Sequence, residues 1–206
     1  MDKRTINRLA RQEKILEIAA QSFLEHGYDR TTMSAIATQL GGSKGTLWNY
    51  FQSKEQLFEA VFEQRTASFR EEIASILMPA PDVRLALLRY SGRFIEKTTS
   101  EEAVALFRLV IAESVRFPEV GRIFRSLTIN LARLGLARFI GSCMATAQLR
   151  HDDPLEAADI LIALCRGPQY QALSGAPPPS PAEVETAAIK VVQIFLRAYA
   201  PLPDRL

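Results

Sequence analysis

An all-α fold is predicted by this sequence: an N-terminal three-helix domain followed by a larger C-terminal helical bundle, about nine helices in total. Three observations lead there. Apolar residues recur at helical spacing along the chain, with no period-2 strand and no internal repeat. Asp153-Pro154-Leu155-Glu156 and Ser180-Pro181-Ala182-Glu183 each combine an N-cap, proline at the first helical position and glutamate two residues later, so each opens a helix. Gly41-Gly42 separates two short amphipathic segments, which is the geometry of a helix-turn-helix.

Composition bounds the rest. The 206 residues suffice for one sizeable core, or for a small domain of about 50 to 70 residues joined to a larger one. The net charge is only +2, but residues 1–14 hold Lys3, Arg4, Arg8, Arg11 and Lys14 against Asp2 and Glu13, a local +3 next to the helix-turn-helix. No N-terminal apolar segment and no apolar run of the ~18 residues needed to span a bilayer occur, so a cytoplasmic protein with no membrane partner is expected. Cys143 and Cys165 lack metal-ligand spacing and read as buried, inert thiols, and neither a metal nor a cofactor is expected.

In chain order, the first helix is expected over about residues 7–26, because Leu9, Leu16, Ala19, Ala20 and Phe23 share a face and Gly27 follows as a C-terminal cap. His26 then sits where a cation meets the helix dipole. Thr32 is the N-cap of a second helix whose Met33, Ile36, Ala37 and Leu40 form its buried face, and Gly41 supplies the positive φ of the exit. Ser43 caps the third helix, where Leu47, Tyr50 and Phe51 turn inward. With Leu47 as the buried direction and about 100° per residue, Gly45 and Asn49 point away, flanked by Thr46 and Trp48. Those four would face a major groove. Lys44 and Tyr50 lie towards its rim, and Lys54 stands in the first turn of a fourth helix capped by Ser53, where a helix N-terminus and a lysine together attract phosphate.

That fourth helix passes Leu57, Phe58, Val61, Phe62, Phe69, Ile73, Ile76 and Leu77 before Pro79-Ala80-Pro81, about 37 Å at 1.5 Å per residue, and could join two domains as a lever. Asp82 caps the fifth helix, and Ser100 with Glu101 and Glu102 opens the sixth, which turns Val104, Phe107, Val110 and Ile111 inward. The seventh is expected to run unbroken from Pro118 past Phe124, Leu127, Leu131, Leu134 and Phe139 to about Gln148. The eighth contains Gly167-Pro168 and should kink, and the ninth carries an apolar surface of Val184, Ala188, Val191, Val192, Ile194, Phe195 and Tyr199, wider than one stripe.

Two distant histidines and no Gly-x-Ser-x-Gly leave no nucleophile-base constellation, hence no catalytic residues. GGSKGT has Lys-Gly-Thr where a phosphate loop needs Gly-Lys-Thr, and it comes after a helix and not a strand. A non-catalytic helical adaptor and an all-α enzyme are the alternatives to a DNA-binding regulator.

The residues Thr31, Thr32, Ile36, Ala37, Gly41, Ser43, Gly45, Thr46, Trp48, Tyr50, Phe51, Ser53, Lys54, Glu55 and Leu57 stand at the spacing of the TetR-family DNA-binding domain, which this chain resembles. It departs in having Gly42 where that family has an apolar residue and Trp48 where it has tyrosine. Residues 107–124 also resemble the AefR-like class of TetR-family C-terminal domains. The resemblance implies a DNA-binding domain over residues 8–70, its helix-turn-helix at about 33–52, and an effector-binding and dimerisation domain over 71–206. It implies phosphate contacts from Thr32, Trp48, Tyr50 and Lys54, bases beneath Lys44, Gly45, Thr46 and Asn49, and Ser43 at the same interface. It further implies a pocket among helices 4 to 7 for a small apolar effector, with Phe107, Val110, Glu113, Ser114 and Phe117 as candidate contacts. The last two helices would pair in a homodimer, and the function implied is a repressor released by its effector from a palindromic double-stranded operator.

Overall fold

In the computed structural model, which describes residues 2–41, 44–78 and 82–201, the regular elements are all helices. They are α1 (Lys3–Arg30), α2 (Met33–Gln39), α3 (Lys44–Trp48), α4 (Lys54–Ile76), α5 (Val83–Thr99), α6 (Glu101–Glu113), α7 (Pro118–Phe124), a π turn (Arg125–Ile129), α8 (Asn130–Ala145), α9 (Pro154–Cys165), α10 (Gly167–Leu173) and α11 (Pro181–Tyr199). If 118–145 is taken as one rod with a π turn and 154–173 as one rod with a break, nine rods result among the described residues.

The local signals act where they stand. Thr32 Oγ1 accepts the Ala35 N–H at 3.1 Å, Asp82 accepts from Leu85 at 3.1 Å, and Asp153 accepts from Leu155 at 2.8 Å. Ser180 and Glu183 form a complete capping box. Gly41 has φ of +70°, a left-handed conformation in which a side chain would be strained. Ser43 as a cap, the Gly42 departure and the Pro79-Ala80-Pro81 stop lie outside the described residues.

Two boundaries differ from expectation. The first helix begins at Lys3, and Gly27, at φ 81° and ψ 171°, breaks it before one more helical turn ends at Arg30. The seventh helix is interrupted by the π turn, whose wider winding shifts the angular phase of α8, so Leu131 and Leu134 stay exposed while Leu136 and Ile140 are buried. The eighth helix breaks at Arg166-Gly167, where Gly167-Pro168 was expected to kink it. Proline lacks an N–H to continue the ladder there.

The chain divides into two compact units, neither continuous in sequence. Unit 1 runs as far as Ser68 and resumes over Ala105–Leu127. Its core gathers Ile15, Leu16, Phe23, Tyr28, Ile36, Leu47, Leu57, Phe58 and Phe62 with Leu109, Val110, Val120 and Ile123. Phe58 is its centre, 5.0 Å from Phe23, 5.1 Å from Tyr28 and 4.9 Å from Phe62 between ring centroids. Such tilted and edge-to-face pairs contribute beyond the area they bury.

Unit 2 comprises Phe69–Val104 and the chain from Thr128 onward. Here α11 packs on α5 and α9, and α8 packs on α9. Leu87, Tyr90, Ile95, Leu136, Ile140, Leu161, Val192 and Phe195 fill the core. Both cysteines are buried in it, which pushes Cys143 up and Cys165 up to about 12, as the inert reading requires.

Candidate nucleic-acid interface

The third helix is short, and its orientation is fixed by one anchor. Leu47 is fully buried in the unit 1 core, on a helix that packs on α2, so the opposite face is left to solvent. Gly45, Trp48 and Asn49 are exposed, Trp48 at 44 %, and Tyr50 is half-buried beside them. Backbone bonds from Asn49 to Gly45 at 3.2 Å and from Phe51 to Leu47 at 3.0 Å carry the helical winding to the last of these residues. Ser43 lies outside the described residues, as do the side chains of Lys44 and Thr46. The helix they belong to is described, and it is the helix whose outer face carries Trp48 and Asn49.

A second surface adjoins the first. Arg4, Arg8 and Arg11 fall at i, i+4 and i+7 on α1, so they share one face. Together with Asn7 they line a groove whose other side is Tyr50, and the Arg8 guanidinium stands 5.9 Å from the centre of that ring. Among the described residues no carboxylate forms an ion pair with these three arginines. The charge run at the start of the sequence was the signal for them, but the sequence did not connect them to Tyr50.

Lys54, expected at the phosphate rim, is engaged within unit 1. Its ammonium donates to the carbonyls of Tyr28 at 2.7 Å and Asp29 at 3.3 Å, and lies 4.2 Å from the centre of the Tyr28 ring. Burial lowers its pKa, opposed by the negative charges of Asp29, Glu113 and Glu119. The Tyr28 phenol is pushed up, first by burial and then by the charge of Glu119.

The five candidate effector contacts also belong to unit 1. Val110 is buried in its core. Phe117 meets Tyr28 at 5.3 Å, and Phe107 meets Phe124 edge-on at the same distance. Ser114 stands against Gly121, where an added Cβ would come within 3.1 Å of the serine Cβ. Glu113, another of the candidate effector contacts, accepts the N–H of Tyr28 at 3.0 Å and that of Asp29 at 3.4 Å. The partner lies 85 positions away in sequence, a separation that no helical periodicity reveals.

Among the described residues there is no cluster of potential metal ligands, and no helix is long and apolar enough to cross a membrane. Similarity to known proteins runs through both ends of the chain. Residues 15–61 match the model of bacterial regulatory proteins of the TetR family, and residues 85–201 match that of the AefR-like transcriptional repressor C-terminal domain. The HTH-type transcriptional regulator YhgD of Bacillus subtilis is 33 % identical over 70 residues, which is 34 % of this chain and 37 % of that protein. The chain thus spans little more than a third of this relative's length. Over nearly the full length, a solved TetR-family transcriptional regulator from Mesorhizobium loti superposes with a TM-score of 0.82 at 29 % identity, covering 93 % of this chain and 98 % of that one. The flavonoid-responsive regulator FrrA does so at 0.80 and 29 %, covering 94 % and 99 %. These proteins are regulators, not enzymes. With a C-terminal model matching more than half of its length and an N-terminal one spanning the helix-turn-helix, this chain belongs to the TetR family of bacterial regulatory proteins.

Proposed function

We propose that the protein is a DNA-binding transcriptional repressor that acts as a homodimer in the cytoplasm on a palindromic operator. The observation that carries this reading is the exposed Gly45, Trp48 and Asn49 face held out by buried Leu47. A major groove admits one helix and distinguishes base pairs through side chains of this kind. The Arg4, Arg8 and Arg11 stripe beside Tyr50 is suited to the adjacent phosphates. Of the interface predicted from the motif, Thr32, Ser43, Lys44, Gly45, Thr46, Trp48, Asn49 and Tyr50 are retained.

One short recognition helix per chain gives too few contacts for a specific complex, and a two-fold dimer presents two at a spacing of about 34 to 36 Å or a larger one on the same DNA face. Support for pairing through the last helices comes from Ile160 on α9 and Ile189 and Ile194 on α11, which the single chain leaves exposed. The proposed effector is small, apolar and aromatic, as the flavonoid response of FrrA favours, and Phe107 is its first candidate contact. The test is binding of the full chain to its own upstream DNA, titrated with salt and then with flavonoid aglycones. Specific, salt-sensitive binding by a dimer, reversed by a ligand, is expected. A monomer that binds no DNA more tightly than a random duplex would overturn the reading and favour a protein-binding adaptor.

A further inference from the structure

We propose that Glu113 and Lys54 are positioning residues for DNA reading: an anion and a cation that grip the backbone of residues 28 and 29 from opposite ends of its dipoles and so set how the chain enters α2. The inference rests on the DNA-binding function proposed for this chain. Its physical basis is the break at Gly27. Where a helix is interrupted, the N–H groups after the break and the carbonyls at the last turn lose their helical partners and must find others. Here both sets are taken by charged side chains. Glu113 Oε1 accepts the N–H of Tyr28 and, more loosely, that of Asp29, at 3.0 and 3.4 Å. The Lys54 ammonium takes the carbonyls of the same two residues at 2.7 and 3.3 Å. Negative charge at the amide end and positive charge at the carbonyl end is the favourable sense for peptide dipoles, and charge-assisted bonds of this type are the strong ones.

A second observation comes from the glycine itself. A Cβ built on Gly27 would meet Glu113 Oε1 at 2.7 Å, so any side chain there would displace the carboxylate. Gly27 is therefore favoured by its φ of +81°, and its missing side chain leaves the space in which the carboxylate sits. The ammonium is held at a third point by the face of Tyr28 at 4.2 Å, an attraction that adds to its two hydrogen bonds. By contrast the Arg116–Asp29 pair, at 2.6 Å but largely exposed, adds little.

The clamp positions the start of the helix-turn-helix. Two residues beyond Asp29, the Thr31 hydroxyl lies 3.0 Å from the Ser22 carbonyl and 2.8 Å from that of Gly27, and the next residue is the α2 cap, Thr32. Helix α2 in turn packs on α3. A displacement of residues 28 and 29 is thus passed through Arg30, Thr31 and Thr32 to α2, and from α2 by packing to the recognition helix. With its donors engaged on protein carbonyls, Lys54 acts through the backbone and not as a counterion of DNA.

The test uses the full-length protein and a duplex selected from random DNA by the wild type. Glu113→Ala and Lys54→Ala should each weaken binding at least tenfold while leaving the slope of log K against log salt unchanged, and the double variant should lose no more than the worse single one. Hydrogen exchange of peptides spanning residues 24–31 should accelerate in both. Glu113→Gln, which keeps one neutral acceptor and the side-chain volume, should fall between them and the wild type, and it serves if Glu113→Ala does not fold. A slope reduced by about 0.9 in Lys54→Ala, with affinity undiminished in Glu113→Ala, would overturn the clamp and make Lys54 a phosphate ligand, leaving the DNA reading intact. If the wild type selects no DNA, the DNA reading fails. Exchange at residues 24–31 still judges the grip: rates unchanged in both variants would refute it.

Discussion

In unit 1 the surface that would meet DNA is tied down by directional bonds between charges and peptide groups, whereas unit 2 is held by apolar side chains that fill volume. Around Tyr28 and Asp29, a carboxylate, an ammonium and the Thr31 hydroxyl each bond main-chain groups at defined angles. In unit 2 the ion pairs sit on partly exposed faces, such as Arg93 with Glu72 at 2.7 Å and Arg133 with Asp159 at 2.6 Å. Inside it, the Tyr90 hydroxyl is buried with no hydrogen-bond partner among the described residues. The contrast shows what each kind of force is used for. Apolar burial is non-directional and tolerates sliding, while hydrogen bonds to a charged group weaken steeply with angle and distance. A surface that must match base edges to within a fraction of an ångström calls for the second kind.

The strongest way to break the contrast is to damage both cores equally. Phe58→Ala in unit 1 and Phe195→Ala in unit 2, both at fully buried positions, should each cost about 3–5 kcal/mol in urea unfolding. A fall in operator binding beyond that accounted for by unfolding should accompany only the first. Next in size, Asn49→Ala should remove about 1–3 kcal/mol of discrimination at one base position, read by site selection on random DNA. An unchanged preferred sequence would mean that the outward face of α3 is wrongly assigned.

The electrostatic part is sharper in slope than in energy. Replacing Arg4, Arg8 and Arg11 together by alanine should lower the salt slope by about 0.9 for each phosphate no longer neutralised, with thermal stability changed by no more than about 0.5 kcal/mol for each surface site. That outcome is the reverse of the one expected at Lys54, where affinity falls and slope does not. In unit 2, Tyr90→Phe should be neutral or slightly stabilising, since it removes a buried hydroxyl that lacks a partner. A destabilisation above about 1 kcal/mol in urea would reveal a bond to that hydroxyl.

The smallest effect concerns Cys165, whose thiol burial raises to about 12. Its unfolded counterpart ionises near 8.5. The folded state therefore holds the proton more tightly, and the stability this contributes is fully present below about pH 8.5 and lost as pH rises towards 12. Iodoacetamide at pH 8 should leave Cys165 unmodified in the folded protein and label it after denaturation, as mass spectrometry would read.

Legibility divides along sequence separation. The caps at Thr32, Asp82, Asp153 and Ser180 and the left-handed turn at Gly41 were readable because a cap or a φ angle is settled within four residues. The buried face of α2 and the outward face of α3 were readable for the same reason, since 100° per residue orders neighbours without reference to anything distant. The π turn at Arg125–Ile129 was not, because its winding has no fixed residue signature and competes closely with an ordinary helix.

The partners of Glu113 and Lys54 were beyond reach for a different reason. Both residues obey their local patterns, one on an apolar helix face and one in a helix's first turn, and each pattern was assigned its customary role. Only the fold brings α6 and the start of α4 to the same two peptide groups of α1. Local order in the chain settled the helices, their caps and the residues turned outward on α3. Which charged side chain meets which backbone was decided by tertiary packing, because groups 26 and 85 positions apart become neighbours only once the apolar faces between them have closed.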